Sequence, residues 1–243
     1  MTSVARFILV QTIAVALAGA ARAEGAYRVE ARYPLTSRAN GLDGLLVLET
    51  DARLRGATWG SIWGKGPWLE SLAPESDAYR EFSVAPPRNA VLSLRGADGK
   101  VISQRVLSVP LAKLETWSGA APGKALFLLI EDRSSSAGSY SGPVTSIISV
   151  SNGRMAEVEA RDEKSQAVEP IRLLQSLKST WRILPKSQGQ VILAVTSRLG
   201  QDGKFETEHI RYSARGGVWT KRTRVAPGVW ESGDAFPPTS SFP

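Results

Sequence analysis

The chain holds one histidine, His209, and no cysteine. An imidazole acts as a general base for a serine nucleophile only when a hydroxyl and an orienting acid stand beside it. The serine-rich stretch 134–142 carries Ser136, Ser139 and Tyr140. There Gly138-Ser139-Tyr140-Ser141-Gly142 puts tyrosine, not serine, at the centre of a nucleophile-elbow pattern. A hydrolase using His209 and a loop serine is one reading, and it lacks a nucleophile motif. The opposing reading is a strand histidine on a packed or surface position.

Metal and cofactor chemistry finds little to stand on. Asp132, Ser134 and Ser136 have the one-three-five spacing of a calcium loop, but Ala137 replaces its glycine and Pro143 its final glutamate. Glu206 and Glu208 fall on the opposite face of a strand from His209, so the three do not converge on an ion. Thiolate ligands and disulfides are excluded, and no phosphate-cradling or dinucleotide fingerprint is present. No metal and no cofactor is expected.

Two binding signals remain. Trp59, Trp63 and Trp68 lie among glycines, with Trp59 and Trp63 projecting the same way from a strand. Exposed, such rings stack on sugar C–H faces and suggest a glycan-binding module. Buried, they fill a core, the commoner use of large aromatics. The second signal is basic: Arg211, Arg215, Lys221, Arg222 and Arg224 fall on one predicted hairpin. Arg222 and Arg224 share a strand face, and Arg211 is on the neighbouring strand. Such a cluster suits an acidic protein partner or another anionic surface. It also suits protection of a sheet edge against aggregation. Nucleic acid is not expected as a partner, since no recognition motif is present.

The elements that must position these residues read as strands. Residues 125–130 are a continuous apolar run, entered through Pro122-Gly123 and left through charge at Glu131, Asp132 and Arg133. That pattern predicts a short strand buried on both faces. Residues 144–150 resume the β-rich pattern, and Asn152-Gly153 predicts a tight hairpin turn, because both residues tolerate positive φ. Residues 27–33 alternate as a half-buried strand, and residues 79–84 are expected to form another. Gly96-Ala97-Asp98-Gly99 separates two further strands of a hairpin, and residues 191–225 read as a three-stranded meander. One short helix is expected near 170–178, opened by Pro170, with Ile171, Leu174 and Leu177 at three-residue spacing.

The fold class is therefore mainly β, with antiparallel sheets in a sandwich or a meander or barrel-like arrangement. Two β units are expected, 24–122 and 123–243, divided at the segment 117–123 (Trp-Ser-Gly-Ala-Ala-Pro-Gly), with an extended tail at the end. Residues 1–23 resemble a secretory signal peptide, with Arg6 before an apolar run and Ala21-Arg22-Ala23 as a small-x-small cleavage site. That run is short for a membrane span, no later segment approaches one, and a periplasmic or secreted location is expected. The chain carries 30 Lys and Arg against 23 Asp and Glu; without residues 1–23 the balance is 28 against 23. The leading functional reading is a non-enzymatic binding or interaction protein, in one version an inhibitor or immunity-type partner of another protein, with the loop 134–142 (Ser136, Ser139 and Tyr140) and the basic hairpin as its candidate binding surfaces.

Overall fold

The computed structural model describes residues 25–36, 43–54, 77–117, 125–133, 138–185 and 190–243. Residues 1–23, Ser136, and all of Trp59, Trp63 and Trp68 lie outside them. The described chain is mainly β, arranged as three sheets. Sheet A runs β1 (Tyr27–Leu35), β2 (Gly44–Asp51), β3 (Val91–Gly96), β4 (Val101–Val106) in antiparallel order. Sheet B has β11 (Arg172–Leu174), β7 (Val144–Ser151), β6 (Ala125–Glu131) and β5 (Ala112–Trp117) side by side, with β8 (Arg154–Glu157) also paired to β7. Sheet C has the order β10 (Val168–Pro170), β9 (Glu159–Asp162), β15 (Val218–Pro227), β14 (Phe205–Arg215), β13 (Gln190–Leu199), β12 (Ser179–Ile183). None of the three closes into a barrel.

Sheet B is the middle layer, which accounts for the unbroken apolar run of β6. Phe127 and Leu129 face sheet A and pack with Leu46, Leu48, Leu92 and Leu94. Leu126 and Leu128 face sheet C and pack with Ile192, Ala194, Ile210 and Tyr212. All four β6 side chains are buried, and each contributes about 2 kcal/mol of hydrophobic stabilisation. Polar bonds add register between layers: the Tyr33 hydroxyl donates to the Leu114 carbonyl at 2.8 Å. The strands on either side of 118–124 pair with each other as β5 and β6, so sheet B draws on both halves of the chain.

Layers B and C are stitched by two crossings. The chain leaves sheet B after β8 and enters sheet C at β9, with Val158 at the corner. It returns from β10 to β11 with Ile171 at the corner, and the Ile171 N–H donates to the Val158 carbonyl at 2.9 Å. The helix expected near 170–178 is replaced by β10, β11 and a turn closed by the Ser176–Ser179 bridge. The buried pair there is Ile171 and Leu173, a spacing of two, and Arg172 between them is exposed. The helix of the described chain is instead α1 (Asp77–Val84), where a strand was expected. Phe82 alone is buried among residues 80–84 and Val84 is 87 % exposed, a pattern that alternation does not produce. The Asn152-Gly153 turn forms as expected, with φ of 49° and 68°.

Two charged clusters fix the outer parts. Asp51, fully buried at the end of β2, accepts from Arg53 Nη2 at 2.7 Å and from the backbone N–H groups of Arg53 at 3.0 Å and Arg88 at 2.9 Å. Arg53 in turn reaches Glu81 of α1 at 3.2 Å and lies over the Phe82 ring, which ties α1 to sheet A. Elsewhere, Arg105 of β4 pairs with Glu157 of β8 at 2.6 Å, and Glu157 pairs with Arg172 at 2.9 Å. That chain of charges spans sheets A and B. No helix among the described residues is long and apolar enough to cross a membrane.

Candidate functional site: an arginine face on sheet C

The tight Gly216-Gly217 turn between β14 and β15 sets which side chains share a face. Both glycines adopt positive φ, and Arg215 then opposes Val218. Counting back, Arg211 stands directly opposite Arg222, and His209 directly opposite Arg224. The register continues across the sheet, because Arg211 opposes Leu193 and Leu193 opposes Arg182. Arg182, Leu193, Arg211 and Arg222 thus form one row across four strands, about 14 Å from end to end. On the other side of β15, Thr220 opposes Arg161 of β9. Alternation therefore sets six arginines, at 161, 182, 211, 215, 222 and 224, on the face of sheet C turned away from sheet B. Glu159 and Glu163 accompany them.

The arginines differ in what satisfies them. Arg222 Nε lies 2.6 Å from Glu163 Oε2. Among the described residues, Arg224 Nη1 donates to the carbonyls of Ser240 and Ser241, both at 3.4 Å. Arg182 lies over the Phe236 ring at 4.2 Å and reaches the Thr239 hydroxyl at 3.5 Å, while its Nε is buried with no partner among the described residues. Arg211 has no ion pair and no hydrogen bond among the described residues. Like charges set directly opposite each other on a sheet cost stability. The Arg211–Arg222 pair is such an arrangement, with one acid between the two.

The closing segment crosses the apolar half of this face. Phe236 and Phe242 stack at 5.7 Å, and Phe242 packs with Leu184, Val191 and Leu193. Its start is fixed where the Trp230 N–H donates to the Ser197 hydroxyl at 2.7 Å and the Trp230 indole N–H to the Ala235 carbonyl at 3.2 Å. This closing segment ends in a short 3-10 turn, Thr239–Ser241, before Phe242.

His209 sits beneath that segment, its ring edge-on to Phe242 at 5.3 Å. Burial lowers its proton affinity, and the charge of Arg224 lowers it further. Its Nδ1 is buried without a hydrogen-bond partner. Among the described residues no serine or acid hydrogen-bonds to it, so they do not assemble a triad; Ser136 is not among them. Ser139 and Tyr140 belong to the turn that enters β7. The Ser139 carbonyl accepts from the Lys178 N–H at 3.3 Å, and Tyr140 is 45 % exposed. Lys178 immediately precedes β12, three strands and about 14 Å from β15. Ser139 and the basic hairpin therefore belong to separate surfaces.

Besides Glu159, three members of the face lie beyond the hairpin's own alternation: Arg161, Arg182 and Glu163. Alternation within residues 205–225 reveals the hairpin arginines. Placing the other three needs the β12–β13 and β9–β15 registers, which are long-range. No protein-family model, no curated protein and no solved structure matches the chain, so the site's own chemistry carries the functional argument.

Proposed function

We propose that this chain is an exported binding protein whose arginine face docks an acidic protein surface. Export rests on the pattern of residues 1–23. Docking rests on one observation above the others: Arg211 stands opposite Arg222 with no counter-ion of its own among the described residues. Edge protection would explain Arg222 and Arg224, because no described strand pairs with β15 beyond Lys221 on its β9 side. It does not explain Arg211, which lies on β14, a strand paired on both sides. Guanidinium groups held apart by a rigid sheet meet carboxylates in paired, oriented contacts, and such sites give specificity and fast association.

Fluorescent poly-L-glutamate serves as the probe. It should bind the full chain with an affinity that falls as salt rises. Arg211→Glu with Arg222→Glu should weaken binding about tenfold or more, with the far-ultraviolet circular dichroism unchanged. Equal binding by parent and variant would overturn the proposal. So would binding to anionic phosphatidylglycerol vesicles without binding to poly-L-glutamate.

A further inference from the structure

Beyond Lys221, the outer edge of β15 is unpaired among the described residues. In the β14–β15 ladder the Gly228 N–H donates to the Phe205 carbonyl, which makes 205 and 228 a hydrogen-bonded pair. Alternation then turns the N–H and C=O of Arg222, Arg224 and Ala226 toward β14. The same groups of Lys221, Thr223 and Val225 turn the other way. Lys221 uses its carbonyl there, accepting from the Glu163 N–H at 3.0 Å. No strand among the described residues pairs with Thr223 or Val225; Thr223 is exposed and Val225 is 49 % exposed.

The chain itself starts such a pairing and abandons it. β9 runs parallel to β15 as far as Asp162 opposite Lys221. Glu163, one residue on, stands in the position beside Arg222 and pairs with it at 2.6 Å. The chain then turns away, closed by the Gln166 N–H donating to the Asp162 carbonyl at 2.8 Å. The next outward position, beside Arg224, receives no carboxylate, and Arg224 is left with two carbonyls at 3.4 Å. Pro227 has no N–H to offer and ends the ladder.

We infer that β15 accepts a short extended acidic segment of a partner protein as an added strand over residues 223–227. The segment carries a carboxylate beside Arg224 and β-branched residues beside Thr223 and Val225. Backbone bonds to Thr223 and Val225 supply affinity, and the carboxylate supplies selectivity, as in strand addition generally. This rests on the acidic-partner reading above and narrows it from a charged surface to a strand.

The test uses the full chain and three labelled peptides. The first is acetyl-Thr-Glu-Val-Glu-Thr-amide. The second carries backbone N-methyl groups on all five residues, which keeps the charges and removes the ladder donors in either strand orientation. The third has lysine for glutamate. The first should bind, and the other two should bind at least about tenfold more weakly. In the protein, Val225→Pro removes an N–H that β14 does not use, so the β14–β15 ladder persists. This variant should lose the first peptide and keep poly-L-glutamate. Equal binding of the first and N-methylated peptides would overturn the added strand while leaving the arginine face standing. Failure of the first peptide with poly-L-glutamate still bound would overturn it too. Failure of both probes would remove the docking proposal and this one together.

Discussion

Replacing Asp51 by asparagine isolates the charge that holds α1 to sheet A. Burial alone would raise the Asp51 pKa. The hydrogen bonds from the Arg53 side chain and from the Arg88 and Arg53 backbone outweigh it, and the group falls from 3.8 to about 2. A difference of that size between folded and unfolded states corresponds to about 2 kcal/mol of stability. The folded value is the lower one, so this stability is complete above pH 4 and is lost as the pH falls toward 2. Asp51→Asn keeps the shape of the side chain and removes the charge. Urea unfolding at pH 7 should show the variant about 2 kcal/mol less stable than the parent. The difference should shrink between pH 4 and pH 2, where other carboxylates titrate alike in both proteins. Equal stability at pH 7, or a gap undiminished at pH 2, would refute the assignment of this energy to the Asp51 charge.

Other predictions follow from the same reasoning. His209 is held below its usual 6.5 by burial and by Arg224, so the parent loses stability as the pH falls below about 6.5. His209→Gln should flatten that slope in pH-dependent thermal melts; an unchanged slope would place the titration elsewhere. Burial, aided by Glu169, Glu208 and Asp162, pushes Tyr212 up to about 12. Stability that is intact below pH 10 is therefore lost between pH 10 and pH 12, and Tyr212→Phe should withstand that range better. Leu129→Ala opens a cavity between sheets A and B and should cost about 3 kcal/mol in urea unfolding, with a loss below 1 kcal/mol arguing against a tightly packed middle layer.

The sequence revealed the strands whose pattern is local. The run at 125–130 reads as buried on both faces because no polar residue interrupts it, and sheet B does lie between two others. The β13–β15 meander is legible for a similar reason, since tight turns fix its register and bring Arg211, Arg222 and Arg224 together. Residues 155–160 defeat the same reasoning. Their alternation runs on while the chain changes sheets at Val158, an event decided by distant partners on β7 and β15. Ile171, Leu174 and Leu177 imitate a helical spacing by coincidence, and burial against sheet C selects Ile171 and Leu173 instead. The helix at α1 depends on Arg53 and Asp51, far away in the chain. The unmatched state of Arg211 is likewise invisible locally, because it reflects which side chains fail to arrive.

The most direct measurement is a nuclear magnetic resonance titration that follows arginine Nε–H signals as poly-L-glutamate is added. Signals of Arg211, Arg222 and Arg224 should move together and saturate, while Arg95, paired with Glu49 at 2.8 Å on sheet A, stays still. Movement confined to other arginines, or no movement at any of the three, would contradict the account.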